Sequence, residues 1–315
     1  MGAFRYFWYY VLAGFGFIYP QIIDKNDPYE WAGIYGVRSF TEEIPFNYNG
    51  KHETLQAELF EPASLDPEAF VLFMPGFGAS YTGYIDYLEH LASHGFLAMG
   101  MDFAGTTLTI DGEHDVKAYQ ALDAIAYIRV VYPEYYDLPI YTAGHSLGGK
   151  IAFYAASLNE KIDGVMALDP VNAGGPPCAI FPKQCIAYPV APNNETEQEG
   201  IMKQITEGTS SIIFRSKPDP LTNPDAQFNA ANFYFGLDGQ GLNAAPSPVW
   251  YYDMGEFPHG LYLSSLPSKQ VQIIKRTMVA FLEQEVLGED SGAYLTGSII
   301  QADINDGYLV SVENR

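Results

Sequence analysis

The sequence predicts an α/β fold, a mostly parallel central sheet covered by helices on both faces. Three observations point there. Short continuous apolar runs, such as Phe70-Val-Leu-Phe-Met74 and Gly164-Val-Met-Ala-Leu168, suit strands buried on both sides. Stretches of helical periodicity alternate with them. No internal repeat, low-complexity tract or interdomain linker breaks the 315 residues. One domain over 24–288 is therefore the economical reading, between an apolar leader at 1–23 and an acidic tail at 289–315.

Taken in order, residues 6–19 are almost wholly apolar and aromatic, behind Arg5 and closed by Pro20. The run is short of the roughly 20 residues of a spanning helix. Signal-peptide core, signal anchor or interfacial segment, and apolar segment packed on the domain all remain open. Association with a membrane through 6–19 is one expectation; the triplet Gly14-Phe15-Gly16 offers only a poor cleavage site. Residues 40–46 and 54–60 read as strands joined through Asn49-Gly50, a hairpin signal. Residues 70–74 read as a buried strand ending in Pro75-Gly76. A helix follows over 84–94, stopped at Gly95, and a buried strand over 96–101. Residues 116–131 form a helix with Ala118, Leu122, Ile125, Ala126 and 128–130 on its apolar face. Residues 140–143 are a strand, 147–158 a helix and 164–168 a strand ending at Asp169-Pro170. Residues 171–194 are a Pro/Gly-rich loop, a candidate lid or pocket wall. The last two strands fall at 211–214 and 249–252. A closing helix spans 266–286, and the tail beyond it carries two apolar patches, Ile299-Ile300 and Leu309-Val310, able to dock as a further element.

Composition narrows the function. The chain is 48% apolar and 15% aromatic, enough for a sizeable core. Its formal net charge is −22, from 16 Lys+Arg against 38 Asp+Glu, which argues against nucleic acid as a partner because phosphate binding needs a basic footprint. Cys178 and Cys185 share one loop, a local disulfide in an exported protein and two thiols otherwise. The sequon Asn194-Glu195-Thr196 lies nearby. With the leader, these favour export or membrane attachment.

The chemistry centres on Gly144-His145-Ser146-Leu147-Gly148, set between a strand and a helix. That is the setting of a nucleophile elbow, with Ser146 at the tip of the turn and glycines where a Cβ would collide with neighbouring backbone. A serine hydroxyl needs a histidine to take its proton and an acid to orient that histidine. In the chain order Ser, acid, His, only His259 lies beyond Ser146 among the six histidines, in a loop after the last strand. His145 belongs to the elbow and packs or hydrogen-bonds there. Asp169, at the end of the next strand, is the preferred acid; Asp219 is its rival and Asp253 a weaker third. The oxyanion hole needs two backbone N–H groups, expected from Leu147 and from Phe77 in the loop Pro75-Gly76-Phe77-Gly78. Phe77, Tyr81, Tyr84 and Phe103 line an acyl or alcohol pocket or belong to the core. No Gly-Lys-Ser/Thr phosphate loop, His-Glu-x-x-His or Cys-x-x-Cys occurs, so no metal or nucleotide site is expected, and no cofactor is required.

The elbow Gly144-His-Ser-Leu-Gly-Gly149, the segment Pro75-Gly76-Phe77-Gly78 and the strand end Leu168-Asp169-Pro170-Val171 together resemble the α/β-hydrolase superfamily. Within it, the chain is similar to chlorophyllase, platelet-activating-factor acetylhydrolase and polyester (cutinase-like) hydrolase relatives over roughly residues 35–285. Chlorophyllases carry Gly-His-Ser-x-Gly-Gly-Lys and then Asp-Pro-Val, matched here by Lys150 and Asp169-Pro170-Val171. Two features depart from these relatives: Leu147 stands where chlorophyllases have Arg, and Pro75-Gly76 where ester-hydrolysing relatives often have His-Gly. The resemblance supports Asp169 as the acid and implies a serine carboxylic-ester hydrolase with a small lipophilic ester as substrate, chlorophyll's phytyl ester among the candidates. Lipase, acetylhydrolase or polyester hydrolase activity is the alternative; a non-catalytic ligand-binding protein on the same fold is the alternative of another class.

Overall fold

The computed structural model describes residues 27–48, 51–104, 114–172, 201–218, 230–236, 244–263 and 268–315. The sheet begins with a long hairpin. β1 (Val37–Tyr48) and β2 (Lys51–Pro62) pair antiparallel from Val37 opposite Pro62 to Tyr48 opposite Lys51. That register leaves a two-residue connection, the length an Asn-Gly turn serves; residues 49–50 themselves lie outside the described residues. There follow β3 (Phe70–Met74), α1 (Ile85–Ser93), β4 (Leu97–Met101), α2 (His114–Val131), β5 (Ile140–His145), α3 (Leu147–Leu158) and β6 (Ile162–Leu168). Then come β7 (Ser210–Lys217), α4 (Ala230–Phe235), β8 (Val249–Pro258), α5 (Lys269–Leu287), α6 (Gly292–Leu295), α7 (Ser298–Asn305) and β9 (Ser311–Asn314).

Among the described residues these strands form one sheet, in the order β1-β2-β4-β3-β5-β6-β7-β8-β9. The six strands from β4 to β8 run parallel, and the antiparallel pairings β1·β2, β2·β4 and β8·β9 flank them. The pleat explains the continuous apolar runs. Phe70, Leu72 and Met74 of β3 join the core packed under α2 and α3, whereas Val71 and Phe73 join the core under α1 and α5. This is the α/β-hydrolase architecture, a mostly parallel sheet with helices around it.

The structure adjusts several expectations. In α2 the buried residues are His114, Lys117, Ala118, Gln120, Ala121, Ala124, Ile125 and Ile128; Ala126 and Val130, expected on the apolar face, point outward, and Leu122 is half-buried. β8 runs past residue 252 to Pro258, and it is not the last strand. Residues 289–315 dock as further elements: α6 and α7 bury Leu295 and Ile300, Leu309 packs in the same core, and β9 pairs antiparallel with β8. Val310, by contrast, is exposed. No helix of the described residues is long and apolar enough to cross a membrane. The leader with its segment 6–19, Cys178, Cys185, the sequon at 194–196 and most of the 171–194 loop lie outside the described residues.

A buried guanidinium ties the two ends of the described chain together. Arg276 of α5 is 1% exposed and donates to Asp27, 2.9 Å away, in the lead-in segment and to Asp303 on α7. The lead-in segment has a second anchor at the end of α1, where His90 and, just past the helix, His94 meet the carbonyls of Tyr29 and Trp31, each at 2.9 Å.

Candidate active site

Parallel strands all end on one edge of the sheet, and the residues just past those ends converge there. Ser146 follows β5 directly and begins α3. Its φ is +56°, in a region that side chains rarely adopt, so the turn is strained and held by its surroundings. Ser146 N–H donates to Leu168 O at 3.0 Å, and Ser146 O accepts from Lys150 N at 3.2 Å and Val171 N at 3.1 Å. The flanking glycines allow the crossing of strand and helix. A Cβ on Gly148 would lie 2.1 Å from Met74 O, and one on Gly144 would lie 2.4 Å from the Gly148 carbonyl carbon. No side chain fits either place.

Asp169 follows β6, fully buried, also with positive φ (+45°). Its backbone N–H bonds Phe214 O at 2.8 Å. Its carboxylate accepts from Ser216 N at 3.1 Å and from the Ser216 hydroxyl, so the neighbouring strand β7 orients both oxygens. His259 is brought in by an irregularity of β8. Pairing with β7 jumps from Arg215 opposite Asp253 to Lys217 opposite Pro258, so residues 254–257 bulge from the ladder. Gly255, with φ +61°, makes the bend, and Asp253 fixes it by accepting from Gly255 N at 2.8 Å and pairing with Arg215 at 2.7 Å. The chain returns at Pro258 with His259 over the elbow.

The three side chains form one hydrogen-bonded run. Ser146 Oγ lies 3.0 Å from His259 Nε2, and His259 Nδ1 lies 2.5 Å from Asp169 Oδ2. With Nδ1–H donated to the carboxylate, Nε2 is left to accept the serine proton. Asp253 is engaged with Arg215 and Gly255 instead, and Asp219 lies outside the described residues.

The loop after β3 abuts the elbow. A Cβ on Gly76 would sit 3.3 Å from Ser146 Cβ and 3.1 Å from His145 Nδ1. Gly76 N–H donates to Tyr84 Oη at 3.2 Å, and Tyr84 Oη is 2.7 Å from His145 Nδ1. The sequence offers Tyr84 as pocket lining or core; its link from loop to elbow depends on the fold. Phe77 is half-buried and Leu147 is 9% exposed beside Ser146. Tyr81, Tyr84 and Phe103 are core residues. His145 stacks on Tyr262, ring centroids 4.9 Å apart, and lies 4.6 Å from the His259 ring. Burial pushes its pKa well below the ordinary histidine value, so it stays neutral beside His259. Among the described residues no group of three or more His, Cys, Asp or Glu side chains could hold a metal ion.

This arrangement supplies a hydroxyl, a base within hydrogen-bonding reach and a buried carboxylate behind the base, the parts of covalent acyl transfer. A family model described as serine aminopeptidase, S33, matches residues 66–232, just over half of the chain, and the chain belongs to this family of α/β-hydrolases. The match takes in Ser146 and Asp169 and stops before His259. Among curated proteins, no sequence matches.

Proposed function

From that membership we propose that the protein is a serine carboxylic-ester hydrolase acting on a small lipophilic ester. Ser146 Oγ attacks the ester carbonyl while His259 Nε2 takes its proton. Asp169 holds the imidazole in the required tautomer and stabilises the imidazolium. The neutral His145 ring adds no repulsion to that charge. The N–H groups of Phe77 and Leu147 bind the oxyanion, a contribution of roughly 3–4 kcal/mol for one such donor. His259 then gives the proton to the leaving alkoxide, and water repeats the sequence to free the acid. No cofactor takes part.

The observation that carries this reading is the run from Ser146 Oγ through His259 to Asp169. The family description names aminopeptidases, which must hold a free amino group, commonly with a carboxylate. Among the described residues at the ends of β4, β6 and β8, Asp102 accepts from Ser80 and Tyr81 N, Asp169 from Ser216 and His259, and Asp253 from Arg215 and Gly255. Each is taken up inside the protein, which favours the ester.

A fluorophosphonate probe should label the protein on Ser146, with labelling abolished in Ser146→Ala; an unlabelled wild type would favour a non-catalytic binding protein. Side-by-side hydrolysis of p-nitrophenyl esters of graded chain length, chlorophyll, a polyester film and amino-acid p-nitroanilides then sets the substrate. Turnover of the anilides alone would replace the ester reading with aminopeptidase activity.

A further inference from the structure

Three basic side chains are buried at the sheet edge where Ser146 stands, and among the described residues none has a carboxylate in contact. His114 and Lys117 lie in the first turns of α2, 6% and 7% exposed; Lys150 lies one turn beyond Ser146 on α3, fully buried. Lys117 Nζ sits 4.8 Å over the Phe103 ring, which packs in the same core as Leu147 and Phe77. Lys150 Nζ donates to Asn172 O at 2.9 Å, three residues beyond Asp169. Both lysines bear electrostatically on His114, whose Nδ1 is buried with no partner. Gln120 Oε1 and Asn172 Oδ1 are buried and unpartnered as well.

Elsewhere this protein neutralises a buried cation thoroughly, as Arg276 with two aspartates shows. Here the carboxylate that Lys117 feels is Glu53, with no ion pair between them, and nearby Asp115 is spent on Val116 N. Cations at helix N-termini also oppose the helix dipole, and buried unpaired charge is costly. Burial accordingly pulls Lys150 down to about 7 and Lys117 to about 8. A bound anion would reverse each of these penalties.

We propose that the buried basic cluster on the first turns of α2 and α3 is an anion subsite that receives a carboxylate carried by the substrate, with Lys117, Lys150 and His114 as its partners. The inference rests on the ester-hydrolase reading and narrows it: the preferred ester carries a free carboxylate away from its scissile bond.

The test compares charged esters with their neutral twins. Mono-p-nitrophenyl adipate and its methyl ester place the charge on the acyl side; 4-acetoxybenzoate and methyl 4-acetoxybenzoate place it on the leaving group. We expect the acid of at least one pair to be preferred by about tenfold in kcat/KM, the scale of a hydrogen bond to a charged group. That preference should fall towards one in Lys117→Gln and in Lys150→Met, which removes the charge without opening a cavity, and persist in the exposed-lysine control Lys161→Gln. Neutral twins used equally well in both pairs, or a preference untouched in a folded Lys117→Gln, would overturn the subsite and leave the hydrolase standing. If no ester is hydrolysed while the fluorophosphonate still labels Ser146, the ester reading falls instead. The subsite is then judged by adipate, which should slow that labelling in wild type and not in Lys117→Gln; equal labelling rates would overturn it.

Discussion

Two pairs of histidines lie at almost the same spacing in this protein and are held by different partners. His145 and His259 have ring centroids 4.6 Å apart at the sheet edge; His90 and His94 are 4.7 Å apart at the end of α1. Burial depresses the pKa of His145, His90 and His94 alike. What separates the pairs is the partner of each N–H. His90 and His94 each meet a backbone carbonyl through Nε2, which fixes the tautomer. His259 meets a carboxylate on one nitrogen and a hydroxyl on the other. Burial and stacking alone make a staple; a carboxylate on one nitrogen and a hydroxyl on the other are what the proposed base requires.

The largest break in that contrast comes from the reactive run itself. Ser146→Ala or His259→Ala should cut kcat on an activated ester by roughly 10⁴-fold or more, and Asp169→Asn by about as much, because the amide favours the wrong imidazole tautomer. Combining Ser146→Ala with His259→Ala should add little to either alone, and additive losses would show that they do not act as one unit.

A smaller effect sharpens the comparison. The Ser216 hydroxyl donates to the Asp169 carboxylate, so Ser216→Ala should lower kcat by around tenfold through misorientation of Asp169, with KM little changed; the scale is that of one neutral hydrogen bond. A rise in KM with unchanged kcat would place Ser216 in substrate binding instead.

The α1 pair predicts a change in stability and none in chemistry. The folded pKa of His94 is depressed to about 4, against an unfolded value near 6.5. Between those values the unfolded chain binds more protons than the folded one. Stability should therefore fall as pH drops from about 6.5 to 4, by on the order of 3 kcal/mol from this histidine. Urea unfolding across that range checks it. His94→Gln, which keeps an N–H donor, should flatten the slope while ester hydrolysis at pH 7 stays as in wild type.

Much of the frame was legible because its signals are local. β3 and α3 fall on the residues the sequence indicates, since a five-residue apolar run and a Gly-x-Ser-x-Gly boundary leave little choice. Chain order on a parallel sheet brings His259 back to Ser146 but leaves Asp169 and Asp219 as rivals, since both follow strand ends on the same edge. The rest depends on distant partners. β9 has only the mixed sequence Ser311-Val-Glu-Asn, whose strand state comes from pairing with β8. The extension of β8 hides behind Gly255, which reads as a loop residue until Asp253 and Arg215 are seen to fix the bulge. Lys117 and Gln120 break the apolar pattern of α2, and only tertiary packing shows that they point inward.

Arg276 gives the two ends of the described chain a common fate. Its guanidinium has one aspartate from the lead-in segment and one from α7, so peeling either end away leaves a buried charge half-compensated and loosens the hold on the other. The margins of this domain should thus open together as one cooperative unit, and amide hydrogens near Asp27 and Asp303 should exchange at matching rates although the two residues lie 276 positions apart in the chain.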